Sequence, residues 1–194
     1  MSFELVTMGR IGVDLYPEQI GVPLEEVRTF RKMLGGTATN VAVAAARLGR
    51  RTAVITKVGD DPFGRYIRGA LEAFGVDPGF VGTDPELRTP LAFCEIHPPD
   101  DFPLLFYREP SAPDLQLTSA DLDAAAVRDA GIFWVTGTGL SVEPSRATTL
   151  DAMTWRREGE TIIDLDWRPM FWTEEPASYM RAAVERATVA VGNA

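Results

Sequence analysis

The chain has 194 residues, 45% of them hydrophobic and 24% charged, which is the composition of one globular domain with at most a small appendage. Nineteen Lys and Arg against 28 Asp and Glu give a net charge of −9, which argues against nucleic-acid and anionic-membrane partners, since both need a basic surface. A small anionic ligand stays open, because it needs only a few cations in one cleft. Residues 3–9 form a short apolar run ending in glycine, a buried strand by length and flanks. An extended, turn-rich stretch follows to Pro17, and residues 24–34 hold a short helical turn. Gly35-Gly36-Thr37-Ala38-Thr39-Asn40 then opens into an Ala-rich helix over 41–48 that stops at Gly49. Residues 52–58 are a second buried strand, and 62–74 an amphipathic helix started by Asp60-Asp61-Pro62.

The middle changes character. Residues 80–82, 89–96 and 104–108 read as strands without intervening helices, and so as antiparallel segments of a small separate sheet. From Thr118 the alternation resumes, with helices at 118–130, 144–158 and 176–186 and strands at 132–136, 161–166 and 188–191. Helices between near-continuous apolar strands imply a parallel sheet covered on both faces. The sequence stops at a strand end, where open α/β sheets carry their functional loops, so a fragment of a longer protein is expected.

Some chemistries are excluded by count. One cysteine, Cys94, cannot form an internal disulfide, and one histidine, His97, cannot build a His-rich zinc site. His97 lies in Ile96-His97-Pro98-Pro99, a strand end entering a turn, and reads as a solvated turn residue rather than a hydrolase base. No apolar run approaches the ~18–20 residues of a membrane span, and Met1-Ser2-Phe3-Glu4 lacks a basic leader, so a cytoplasmic chain is expected. Neither Gly-x4-Gly-Lys-[Ser/Thr] nor a Gly-x-Gly-x-x-Gly after the first strand occurs.

The Gly35-Gly36 segment is the strongest local signal. Its glycines permit positive φ and close ligand approach, and the helix behind it points free N–H groups forward. Asn40 offers a donor and an acceptor suited to hydroxyls. A tight turn with an ordinary helix cap explains the same residues equally well on local physics alone.

Spacing extends the signal. Gly35-Gly36-x-Ala38-x-Asn40-x-Ala42, with six intervening residues to Gly49 and nine more to Gly59, resembles the N-terminal signature of the ribokinase-like (PfkB) carbohydrate kinases. The resemblance takes in Asp14 and Val58-Gly59-Asp60-Asp61-Pro62-Phe63-Gly64 and runs through nearly the whole chain. Phe106-Tyr107-Arg108-Glu109-Pro110-Ser111-Ala112 looks like the Tyr-Arg…Ser-Ala stretch of members that phosphorylate acidic sugars such as 2-keto-3-deoxygluconate. Asp164-Leu165-Asp166-Trp167-Arg168-Pro169 is similar to their Asp-x-Asn-x-Arg motif, with Asp166 where Asn is commoner. With Asp14-Leu15-Tyr16-Pro17 and Pro99-Asp100-Asp101-Phe102-Pro103, the pattern most resembles the subgroup acting on 5-dehydro-2-deoxygluconate in myo-inositol catabolism.

The resemblance implies an α/β fold: an open, mostly parallel sheet with helices on both faces, and a small antiparallel β lid from segments about 12–20 and 89–108. Residues 1–194 would be the N-terminal part of one kinase domain, with the C-terminal part missing. It implies that Asp14, Gly35, Gly36 and Asn40 bind sugar hydroxyls and that Arg108 and Arg168 face a substrate carboxylate. Without it, the arginines would read as surface ion pairs and Asp14 as a turn residue. Lys57, at a strand end, could help or simply be solvated. ATP and Mg²⁺ are the implied cofactors, a small acidic sugar the implied partner, and a lid-to-lid homodimer the implied assembly. Another sugar kinase of the family, or a non-catalytic sugar-binding or dimerisation module, are the alternatives. The second family signature, Asp-Thr-x-Gly-Ala-Gly-Asp, with its general base, is not among the 194 residues and is expected beyond Ala194. The Asn-x-x-Glu motif of the nucleotide side would begin at Asn193.

Overall fold

The structure, a computed structural model, describes residues 2–192. In chain order it contains β1 (Leu5–Met8), β2 (Gly12–Pro17), β3 (Phe30–Gly35), α1 (Thr37–Arg47), β4 (Thr52–Gly59), α2 (Pro62–Ala73), β5 (Val76–Asp77), β6 (Val81–Asp84), β7 (Leu91–Cys94), β8 (Leu104–Tyr107), α3 (Ala124–Asp129), β9 (Ile132–Thr136), α4 (Ser145–Thr154), β10 (Glu160–Asp164), α5 (Ala177–Val184) and β11 (Val189–Val191). The main sheet runs β11-β10-β9-β1-β4-β5, with β6 beside the second half of β4, and every pairing in it is parallel. β1 is central and all four of its residues are buried. A strand paired on both edges and covered on both faces has no wet side, which is why its sequence is an apolar run without alternation.

The two faces carry separate cores. Val54 and Val58 of β4 pack with Ala42 of α1 and Ile67 and Leu71 of α2. Ile55, the neighbour pointing the other way, packs with Phe133 and Val135 of β9 and with Val127, Ala152 and Ala183 of α3, α4 and α5. The strand period of two therefore delivers consecutive β4 side chains to opposite layers.

The second sheet, β3-β2-β7-β8, stands apart as the expected lid, but it is mixed rather than antiparallel. β2 and β7 pair in parallel, because each follows a strand of the main parallel sheet and leaves in the same sense. β3 was not expected. Only Leu24–Glu26 is helical in that stretch, and residues 30–35 pair antiparallel with β2 from Pro17↔Phe30 to Gly12↔Gly35. The segment at residues 80–82 also differs from expectation: Val81–Asp84 extends the main sheet by parallel pairing to Thr56–Gly59. The expected helix at 118–130 divides, because a Thr118–Asp121 capping box closes a 3-10 turn and Asp123 then caps α3.

Asp61 joins scaffold to lid. Its Oδ1 accepts the N–H groups of Phe63 and Gly64 at 2.9 and 2.8 Å, capping α2, and its Oδ2 accepts the Thr89 N–H at 2.8 Å just before β7. Burial alone would raise the Asp61 carboxyl, but the Thr89 and Gly64 N–H donors outweigh it and hold it below the ordinary value. Stability from a depressed carboxyl is present above the unfolded value and is lost as pH falls through the folded one. Asp61→Ala is expected to cost about 1–2 kcal/mol at pH 7, the scale of a lost helix cap. The gap to the parent protein should close as the pH falls below the usual Asp range. Urea titrations at several pH values measure this, and an unchanged midpoint at pH 7 would count against the cap.

Candidate functional site

Three loops meet at the C-terminal edge of the main sheet. From β1 the chain goes on to β4 on one side, and β9 lies on the other, so β1 and β9 form the topological switch point where open α/β sheets make their clefts. The loops after β1, β9 and β10 converge there with the N-terminus of α1, under β2 and β8 of the lid.

The diglycine has two distinct steric reasons. Gly36 has φ +107° and is the N-cap of α1, and a Cβ on it would strike the Arg10 carbonyl. Gly35 lacks a side chain because the Asp14 carboxylate lies against its Cα. Any larger residue at 35 would displace Asp14 from the cleft. The helix begins at Thr37 rather than 41, so Asn40 sits in its first turn. Burial raises the half-buried Asp14 carboxyl above its ordinary value, and the Arg10 charge only partly opposes this.

Asp166 anchors the floor. Its Oδ2 accepts the Thr138 hydroxyl at 2.8 Å, from the 3-10 turn after β9, and the Thr37 hydroxyl at 3.2 Å, from the start of α1. A carboxylate at a helix N-terminus also opposes the positive end of the helix dipole. Arg168 Nε lies 3.4 Å from Asp166 Oδ1, within ion-pair range but without hydrogen-bond geometry. Arg168 keeps a 43% exposed side chain, whereas that of Asp166 is 8% exposed.

Arg108 is placed differently. It donates to Asp114 at 2.8 Å, and both side chains are almost fully buried, at 7% and 2% exposure. Its guanidinium lies 5.0 Å from the centroid of the Phe171 ring. Phe171 meets the lid residue Phe106 edge-on at 5.1 Å, which places the loop after β10 directly under β8. Phe93, by contrast, packs within the lid against Phe30 and Tyr107.

Between these groups lies a residue that the sequence reading passed over. Arg10 follows β1 and is 9% exposed. Its guanidinium sits 5.7 Å from the Phe106 ring and 5.9 Å from Phe171. It forms no ion pair among the described residues, and its Nε has no hydrogen-bond partner. Burial depresses its proton affinity most, followed by the Arg108 charge; Asp166, Asp114 and Asp14 act the other way. Burying an ion costs several kcal/mol, and stacking on an aromatic face in a desolvated site returns about 2 kcal/mol of it. The signal that could have found it is positional: an arginine directly after the central strand's terminal glycine.

Asp14, Gly35, Gly36 and Arg108 thus gather around Arg10, and Arg168 is tied to the same edge through Asp166. Asn40 does not join them: it is exposed and lines a groove of about 430 Å³ with Met33, Leu34, Tyr66 and Phe74. Asn193 lies outside the described residues. Lys57 is neither in the cleft nor simply solvated, since it bonds Asp121 at 2.7 Å and the Gln116 carbonyl at 3.1 Å. His97 bonds Glu95 at 2.7 Å in a turn of the lid.

The two arginines singled out by sequence should therefore behave differently on truncation. Arg108→Ala leaves a buried Asp114 carboxylate unpaired and should cost about 3–5 kcal/mol of stability. Arg168→Ala loses a loose, half-exposed pair and should cost less than about 1 kcal/mol. Equal losses in urea unfolding would contradict this burial difference.

Comparison with known proteins agrees with this architecture. The family model "pfkB family carbohydrate kinase" matches residues 2–194. The 5-dehydro-2-deoxygluconokinase of Geobacillus kaustophilus is 39% identical over 194 residues, covering 97% of this chain and 58% of the relative. The 5-dehydro-2-deoxygluconokinase of a Listeria monocytogenes strain is 35% identical, with 98% and 60% covered. The chain thus spans about three fifths of the length of these curated relatives. Among solved structures, a Xylella fastidiosa fructokinase superposes with a TM-score of 0.85 at 27% identity, covering 96% of this chain and 58% of that one. A Pyrococcus horikoshii sugar kinase solved in complex with ATP gives 0.84 at 27%, with 96% and 62% covered. The chain belongs to the PfkB family of carbohydrate kinases.

Proposed function

We propose that these residues form the sugar-binding part of an ATP-dependent kinase that phosphorylates a hydroxyl of a small acidic keto-sugar, with 5-dehydro-2-deoxygluconate of myo-inositol catabolism as the first candidate. The observation that carries this is the pair of buried guanidinium groups, Arg10 and Arg108, that share the Phe171 ring under the lid at the switch point of the sheet, with Arg168 beside Asp166 at the same edge. A neutral sugar needs no such concentration of cations. Guanidinium suits a carboxylate through two parallel charge-assisted bonds. The 34–39% identity to relatives named 5-dehydro-2-deoxygluconokinase supports the same reading.

Each residue then has a stated task. Asp14 accepts sugar hydroxyls, and the bare backbone at Gly35 and Gly36 lets the sugar approach the start of α1. Arg108 and Arg168 flank the carboxylate and orient the ring. The mixed lid excludes water, so that phosphate passes to the sugar rather than to solvent. The exposed Met33, Leu104, Leu105 and Tyr107 of the lid support a homodimer through that sheet. ATP is the phosphoryl donor, and Mg²⁺ spreads its charge. Among the described residues no three His, Cys, Asp or Glu side chains cluster as metal ligands, so the ion is not assigned to them and no step is routed through it.

A coupled ADP-release assay on the full-length kinase tests the reading. Turnover with 5-dehydro-2-deoxygluconate near ~1 s⁻¹ or above, the ordinary kinase range, is expected, with D-fructose far slower. Preference for fructose would replace the acidic substrate with a neutral ketose, as in the fructokinase neighbours. The 194-residue chain alone should release no ADP, because the Gly-Ala-Gly-Asp base motif is not in it.

Asp14 should show a trade between stability and function. Its carboxyl is raised in the folded state, so the charged form costs stability that is lost as pH rises through the folded value. Asp14→Asn should therefore melt higher than the parent at pH 7, with the difference shrinking below pH ~4, while sugar affinity falls. A lower melting temperature at pH 7 would show that the charge helps hold the fold.

A further inference from the structure

We propose that Arg10 is a direct ion-pair partner of the substrate's carboxylate, seated beside the flanking Arg108 and Arg168. This rests on the acidic-sugar reading above and adds a specificity-determining residue to it. Three observations carry it. Arg108 already holds Asp114 in a buried pair at 2.8 Å, so its charge is neutralised before any ligand arrives. Arg168 lies 3.4 Å from Asp166 and is half solvated. Arg10 alone of the three is both buried and without a carboxylate in contact among the described residues, with its Nε unsatisfied.

The surroundings fix where its fork can reach. Phe106 of the lid and Phe171 of the loop after β10 line the guanidinium, and aromatic faces give it no acceptor oxygen. Asp14, the cleft carboxylate that β2 contributes, forms no ion pair with it within contact range, and its carboxylate lies against the Gly35 backbone. An anionic group entering between Asp14 and Arg108 would complete the charge balance at Arg10. A neutral sugar would leave the guanidinium as it is. Arg10 therefore sets the preference for acid over neutral sugars, while the hydroxyl contacts at Asp14 serve both.

The experiment compares the full-length kinase with its Arg10→Met and Arg10→Lys variants, each checked for folding by circular dichroism. For 5-dehydro-2-deoxygluconate, Arg10→Met should raise KM about 10- to 100-fold with kcat little changed, the factor expected for one charged hydrogen-bonded contact. KM for D-fructose and for ATP should move less than about threefold, and Arg10→Lys should recover part of the loss. A second arm needs no turnover. D-gluconate should raise the melting temperature of the parent protein and not that of Arg10→Met, while D-glucitol, which carries a hydroxymethyl in place of the carboxylate, should do so for neither. Equal losses for acid and neutral sugars in Arg10→Met, or gluconate protection that survives in it, overturn the role of Arg10 and leave the kinase reading standing. A parent kinase that turns over only neutral sugars fails the acidic-substrate reading; gluconate protection lost in Arg10→Met would then still support an anion seat at Arg10. A parent protein that gluconate does not protect overturns the seat.

Discussion

The cleft depends on keeping two guanidinium groups, Arg10 and Arg108, near one another and largely dry, with Arg168 half exposed beside Asp166. Like charges repel strongly in a low-dielectric setting, so each cation left unmatched there costs stability. Asp114 matches Arg108 inside the lid base, and Asp166 partly matches Arg168 at the sheet edge. Phe171 lies against both Arg10 and Arg108, and Phe106 against Arg10. The result is a surface in which two charges are settled and one is left over. An overall acidic protein thereby presents a local positive point without becoming a general polyanion binder.

The scaffold holds this arrangement through few elements. Asp166 receives hydroxyls from both Thr37 and Thr138, so the start of α1 and the loop after β9 cannot separate without breaking a buried carboxylate network. Asp61 does the same between α2 and the lid. The parallel sheet supplies the rigid part, because β1 is paired on both edges and buried on both faces. The lid pairs mainly within itself and packs on the scaffold at two places, with Val13, Leu34 and Leu91 joining the core under α1 and α2 and Phe106 meeting Phe171.

Much of this was legible from residues. Apolar runs bounded by glycine fixed the buried strands, and the glycine spacing from Gly35 to Gly59 carried the family. What was not legible has physical reasons. β3 has charged and apolar residues on an exposed edge strand, Phe-Arg-Lys-Met-Leu, without a clean period of two. β6 looks like a lid strand in sequence because no helix precedes it, only the turn at Pro78 and Gly79. Arg108 and Asp114 pair across a short loop that has no periodic signature, and the isolation of Arg10 depends on its packing against Phe106 and Phe171, which are distant in the chain, so no local pattern encodes either. Arg10 was visible only as one cation beside a strand end, whereas Arg108 and Arg168 stood in recognisable motifs.

The most direct test of the account is a crystal structure of the full-length protein with an acidic keto-sugar bound and the lid closed over it. The sugar should lie at the C-terminal edge of β1 and β9, with hydroxyls on Asp14 and its carboxylate within about 2.7–3.2 Å of the Arg10 guanidinium. A carboxylate seated elsewhere, with Arg10 turned onto Asp14 as a closed ion pair, would contradict it.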